Sequence, residues 1–168
     1  FFALRNEHRM GVDPSDAAAL YRAYQGDLFR FDQFYRHFCE HADIAAAHGW
    51  DLLKPLRIEV EACYCNWFLP MLNFAWGKFL GKDLLHVWRI EGVRNQYQFY
   101  SRGVKPWLDQ ADNRRAFVII SDAMRYEVAE ELTRELNGTY RFQADLSSQL
   151  GVLPSYTALG MASLLPHK

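Results

Sequence analysis

Apolar side chains recur at three- and four-residue spacing along most of the first 110 residues, which predicts a run of amphipathic helices. Ala17, Leu20, Tyr21 and Tyr24 form the first such pattern, with Asp13 and Pro14 as a start signal and Gly26 as a stop. Leu28, Phe31, Phe34, Tyr35, Phe38 and Ala42 make one stripe of a second helix over residues 27–48. The longest helical stretch is expected over residues 51–79, where Leu56, Val60, Cys63 and Trp67 share a face and Pro70 marks a kink or a break. Shorter helices are predicted over 82–90 and 96–101, with Gly92 and Gly103 as breaks. Lys105, Pro106 and Trp107 then lead into a linker at 110–113.

The periodicity changes at residues 117–120, Phe-Val-Ile-Ile, a wholly apolar block without alternation. Such a block predicts a strand buried on both faces and flanked by parallel neighbours. It ends in Ser121 and Asp122, and a helical pattern follows at once through Ala123, Met124, Val128, Ala129, Leu132 and Leu136, closed by Asn137 and Gly138. A second strand is predicted over 140–150, where Phe142, Ala144 and Leu146 alternate with polar residues. Pro154 ends it, and Ala158, Leu159, Met161, Ala162, Leu164 and Leu165 predict another helix. The fold class is therefore α/β, a helical region over residues 1–112 followed by an α/β unit over 113–168.

Strand, acid and helix in that order place functional groups at the carboxyl end of a strand. Asp122 at such a tip is either the N-cap of the next helix or a hard-oxygen ligand for Zn²⁺, Mg²⁺ or Mn²⁺. Thr157 stands at the mouth of the last helix, where the dipole and unpaired N–H groups favour an alkoxide or a phosphate. The alternative there is an ordinary cap supplied by Ser155 or Thr157. Arg125, three residues beyond Asp122, could steady a phosphate, pair with a Glu, or lie in solvent.

Composition narrows the classes. Hydrophobic content of 50% with 15% aromatics argues against disorder, and a net charge of -1 exerts no global pull on nucleic acid or anionic membrane. The opening residues do not resemble a signal peptide, and the most apolar stretch, 62–76, is interrupted by Asn66, Pro70 and Asn73, so no membrane span and a cytoplasmic location are expected. Cys39, Cys63 and Cys65 have neither disulfide-framework nor zinc-knuckle spacing and read as buried free thiols. His37 and His41 fit an H-x-x-E-H pattern, which a zinc peptidase would need to complete with a third ligand; the alternative is the polar edge of an amphipathic helix. Arg89, Arg94, Arg102 and Lys105 among Tyr97, Phe99, Tyr100 and Trp107 offer a possible nucleic-acid contact, or a helical core with a charged rim.

Two long motifs, RRAFVIISDAMRYE at 114–127 and LGVLPSYTALGMASLLPH at 150–167, resemble the opening of a PglZ domain, a member of the alkaline phosphatase superfamily found in BREX phage-exclusion systems. The resemblance extends upstream through the aromatic helical region. It implies that 113–168 is the truncated start of an alkaline-phosphatase-like parallel-sheet domain. The implied function is that of a metal-dependent phosphatase or phosphodiesterase working with other BREX-system proteins on a phosphorylated substrate. Its implied cofactors are divalent metal ions, Zn²⁺ first, with Asp122 as metal ligand and Thr157 as nucleophile. A complete two-metal site clamps ions about 4 Å apart with several Asp and His ligands. After Asp122 the chain offers His167 as its single histidine, so these 168 residues alone are expected to be a catalytically incomplete piece of a longer protein. The rival implication is a scaffold that assembles the defence components without turnover.

Overall fold

A computed structural model describes residues 1–110 and 115–166, with Lys82 and Asp83 described by backbone alone. Residues 111–113 of the linker expected at 110–113, and His167, lie outside the described residues. Contacts divide the chain into two compact units, one of residues 1–87 with 126–128, the other of residues 88–125 with 129 onward.

The first unit is helical: α1 (Phe2–Glu7), α2 (Ala17–Ala23), α3 (Phe29–Ala47), α4 (Lys54–Cys63), α5 (Leu69–Phe79) and the short α6 (Leu85–Val87). Helix α2 starts later than Asp13 and Pro14 suggest, because Asp16 is the cap, accepting the Ala19 N–H at 2.7 Å. Gly26 does not stop the helix either. A glycine terminates a helix by turning left-handed, and here Gly26 stays within a wide π-type turn, Tyr24–Leu28, that joins α2 to α3. A second wide turn, Tyr64–Phe68, precedes Pro70 in the first turn of α5. Proline lacks an N–H and its ring collides with the carbonyl four residues back, so the extra residue in the turn lets the helix continue past it.

The stripe expected on α3 is the one that packs. Phe31 is fully buried and stacks on Phe68 at 4.5 Å, with Phe1 and Trp67 edge-on at 5.7 and 5.6 Å; Leu4, Leu20, Leu28, Tyr64 and Ala75 complete this core. The same helix buries an acid. Asp32 accepts hydrogen bonds from the Tyr24 hydroxyl at 2.6 Å and the Tyr64 hydroxyl at 2.5 Å, which meets the cost of burying its carboxylate. Glu127, for which the sequence suggests no role, is fully buried and accepts from Arg36 at 3.3 Å.

Near the surface of this unit, burial pushes the Asp27 carboxyl up, but hydrogen bonds from His8 at 2.6 Å and Arg30 at 2.7 Å outweigh it and hold it below its ordinary 3.8. A lowered carboxylate stabilises the fold above its unfolded pKa, and that contribution is lost as pH falls through the folded value. The stability advantage of wild type over Asp27→Asn should accordingly close as pH falls from about 5 toward 2, followed by helical circular dichroism in urea at each pH.

The second unit has a parallel pair of short strands, β1 (Arg94–Asn95) and β2 (Gln149–Leu150), in register Arg94 with Gln149 and Asn95 with Leu150. Its helices are α7 (Lys105–Leu108), α8 (Tyr126–Thr139, whose first three residues count with the other unit) and α9 (Thr157–Leu164). Strand β1 is not foreseen by the local pattern. Gly103 is not a break, since a wide turn, Phe99–Val104, runs through it into α7.

Residues 117–120 are not paired in a described strand, and Phe117 and Ile119 are 88% and 92% exposed, against the expectation of burial on both faces. An apolar block of this kind is covered by neighbouring strands and by helices above and below, and the described residues supply neither. The alternation expected over 140–150 keeps its phase: Ala144 and Leu146 are half-buried and Leu150 is buried, while Phe142 is exposed and only the last two residues pair. Helix α8 begins at Tyr126 rather than Ala123 and runs through Asn137 and Gly138 to Thr139. Ala123 has a positive φ of 57°, which no residue of a right-handed helix takes, so residues 122–123 form a turn and the helix waits until 126. Asn137 instead clips the chain on its return, donating to the Ala144 carbonyl and accepting its N–H, both at 2.8 Å. Among the described residues no helix is long and apolar enough to cross a membrane.

Candidate active site

Asp122 stands at the end of the apolar run, three residues before Arg125, the residue that occupies the cap position of α8. It is therefore not the cap of that helix. Its Oδ1 accepts the N–H of Ala123 at 3.0 Å, a contact within the turn, and its Oδ2 accepts the hydroxyl of Thr157 at 3.3 Å, across 35 residues of sequence. The proposed carboxylate and the proposed hydroxyl are thus side by side. Both are exposed.

Thr157 is the first residue of α9. The cap position belongs to Tyr156, whose backbone is extended and whose side chain makes no capping bond, so neither Ser155 nor Thr157 caps this helix. A carboxylate only accepts, so the Thr157 hydroxyl proton points toward Asp122 and its oxygen lone pairs are directed elsewhere. Ser155 lines the same cavity of about 570 Å³, together with Ser121, Asp122, Thr157, Gln96 and Met161, and Thr157 is the hydroxyl that reaches Asp122. Arg125 is exposed and does not line this cavity.

The donor set tests the fit of a metal ion. One carboxylate and one hydroxyl are hard oxygen donors suited to a divalent cation, but Zn²⁺ takes four ligands and Mg²⁺ six. Among the described residues no group of three His, Cys, Asp or Glu side chains is placed to hold an ion, so they form at most one edge of such a site. The same holds for His37 and His41, which no third ligand of this kind joins among the described residues. Of the three thiols expected to be buried, Cys63 is, which pushes its thiol above the ordinary value, whereas Cys65 is exposed and Cys39 half-buried.

Of the basic and aromatic residues singled out in the sequence, Arg94, Phe99, Arg102 and Trp107 line one cavity of about 640 Å³. Lys105 is engaged with Asp109 at 2.6 Å, and this cavity includes neither Arg89 nor Tyr97 nor Tyr100. Local pattern missed Gln96, which lines the cavity of Asp122 and Thr157. Nothing in its neighbourhood of sequence announces it, because its partners lie 56 and 64 residues away.

Residues 99–168, which include both Asp122 and Thr157, match the model of the BREX system PglZ alkaline phosphatase-like domain. They are a PglZ-family sequence. The PglZ resemblance also reaches upstream of the matched residues. The chain is 49% identical over 166 residues to the alkaline phosphatase-like protein BrxZ of Escherichia coli O9:H4 (strain HS), covering 98% of this chain. It is 40% identical over 157 residues to the alkaline phosphatase-like protein PglZ of Bacillus cereus (strain H3081.97), covering 94% of it. The chain spans 19% and 18% of the length of these two relatives. No solved structure matches the PglZ-family segment or the residues before it.

Proposed function

We propose that this chain contributes the nucleophile and one metal-ligand position of a phosphatase or phosphodiesterase acting with other BREX components in the cytoplasm, against phage. The observation that carries the proposal is the 3.3 Å contact between the Thr157 hydroxyl and Asp122 at the open N-terminus of α9, inside the segment that matches the PglZ domain. Thr157 Oγ1 forms the new bond to phosphorus while the ester P–O bond breaks; the hydroxyl proton passes by way of Asp122 to solvent, and the departing alkoxide takes a proton from solvent and leaves as the alcohol. Water then cleaves the phosphothreonine. Backbone N–H groups at the start of α9 receive the phosphoryl oxygens, with the helix dipole adding to their pull. A divalent ion, Zn²⁺ first, with Asp122 among its ligands, would supply Lewis-acid stabilisation of the charge on those oxygens. Arg125 would reach the phosphate through a side-chain rearrangement.

Hydrolysis of p-nitrophenyl phosphate and bis-p-nitrophenyl phosphate by the intact protein tests the proposal, with Asp122→Ala and Thr157→Ala as variants and co-purification of BREX partners as a parallel readout. Loss of turnover with assembly retained supports it. Turnover unchanged in both variants rejects it, and assembly with no turnover in wild type favours the scaffold.

The shared cavity of Arg94, Arg102, Phe99 and Trp107 favours nucleic acid as the phosphorylated substrate, since two guanidinium groups and two aromatic faces suit a phosphate and a stacked base. Single-stranded DNA binding by the intact protein should then weaken steeply with salt, and Arg94→Ala with Arg102→Ala should flatten the slope of log K against log salt by about 1 to 2. Gel-shift titrations between 50 and 300 mM NaCl measure it.

A further inference from the structure

Gln96 belongs to a segment that precedes the residues matching the PglZ domain, yet its side chain ends against the turn that carries Thr157. Its Oε1 accepts the N–H of Val152 at 3.1 Å, and its Nε2 donates to the carbonyl of Gly160 at 3.1 Å. These partners bracket the turn, one just past β2 and the other one turn into α9. An amide is the one uncharged side chain that offers an acceptor and a donor side by side, as these two backbone groups require. The amide head lies close against the main chain at both places: a Cβ at 151 or 160 would be in ordinary van der Waals contact with it, at 3.6 and 3.5 Å.

Gln96 is itself held. It follows Asn95, which is paired with Leu150 in the β1–β2 ladder and buried, and which donates to the Trp88 carbonyl at 2.8 Å. Trp88 in turn donates from its indole N–H to the Gly151 carbonyl at 2.7 Å. Three consecutive points of the returning chain, Leu150, Gly151 and Val152, are thereby fixed by residues 88–96, and Gly160 is fixed as a fourth. By contrast, the turn itself is exposed from Leu153 to Ala158 and carries one internal backbone bond, Tyr156 N–H to the Pro154 carbonyl at 3.0 Å.

We propose that Gln96 is a positioning residue, a two-point clamp that fixes where the turn presents Thr157 in the cavity it shares with Asp122. The clamp rests on the proposed role of Thr157 in turnover. Its physical basis is that an exposed turn anchored at both ends has few ways to move its hydroxyl, and a displacement of about 1 Å at a reacting atom costs on the order of 10²-fold in rate.

The test compares Gln96→Ala, Gln96→Glu and wild type in the intact protein. Gln96→Ala removes both bonds; Gln96→Glu keeps the acceptor for Val152 and loses the donor for Gly160. The expected result is a fall in kcat of about 10- to 100-fold for Gln96→Ala at little change in KM. Gln96→Glu should lie between Gln96→Ala and wild type. Amide exchange at Val152 should be faster in Gln96→Ala and close to wild type in Gln96→Glu. Wild-type kcat and wild-type Val152 exchange in Gln96→Ala would overturn the clamp, as would a thermal-stability loss with kcat per folded molecule unchanged. If Thr157→Ala retains turnover, the nucleophile assignment fails, while the exchange at Val152 still decides whether Gln96 holds the turn.

Discussion

Thr157→Ala is expected to cut phosphoester hydrolysis by the intact protein by about 10³-fold or more, some 4 kcal/mol of transition-state stabilisation, with substrate binding little changed. The methyl left behind cannot form the covalent intermediate, while Asp122 keeps its Ala123 contact and the cavity keeps its other walls. Thr157→Ser restores a hydroxyl at the first position of α9 and should return activity to within about 10-fold of wild type, the remainder reflecting the freer rotamer of serine. Ser155 is the internal control. It lines the same cavity, but the hydroxyl that bonds Asp122 is that of Thr157, so Ser155→Ala should leave turnover nearly intact. If Ser155→Ala rather than Thr157→Ala abolished hydrolysis, the nucleophile would be the serine.

The second large effect is on stability. Phe31→Ala removes a fully buried ring from the centre of the helical unit, where it stacks on Phe68 and meets Phe1 and Trp67 edge-on. A Phe→Ala change in a packed core costs about 3–5 kcal/mol, from lost transfer energy and the cavity left behind. For a unit of this size each kcal/mol moves the midpoint by roughly 4–8 °C, so the helical melting transition should fall by more than about 10 °C. Phe31→Leu, which keeps most of the volume, should cost less than half as much. Thermal melts followed by circular dichroism at 222 nm give the numbers, and equal midpoints for Phe31→Ala and wild type would remove Phe31 from the centre of the core.

Several features were legible because they depend on neighbours in sequence. The stripe on α3 follows from helical spacing, and Phe31 and Leu28 are buried where that stripe puts them. Of the alternation at 142, 144 and 146, Ala144 and Leu146 turn inward while Phe142 is exposed, and only Gln149–Leu150 pairs. Helix ends were less legible, since Asp13 and Asp16 are equally good caps by type and only the bond to Ala19 decides between them. Gly26 and Gly103 read as stops, yet a glycine stops a helix only when the chain turns left-handed there, which depends on what the following residues pack against.

By itself the sequence determined the helical character of the first unit and a pair of motifs specific enough to point to the PglZ family. It also named Asp122 and Thr157. Only the tertiary structure decided that these two lie 3.3 Å apart, that Tyr156 rather than a hydroxyl residue occupies the cap of α9, and that Gln96 reaches Val152 and Gly160. The physical reason is range: periodicity and capping act over three or four residues, whereas these contacts close loops of 35 to 64 residues, and such closure is specified by the packing of the whole unit and not by any local pattern.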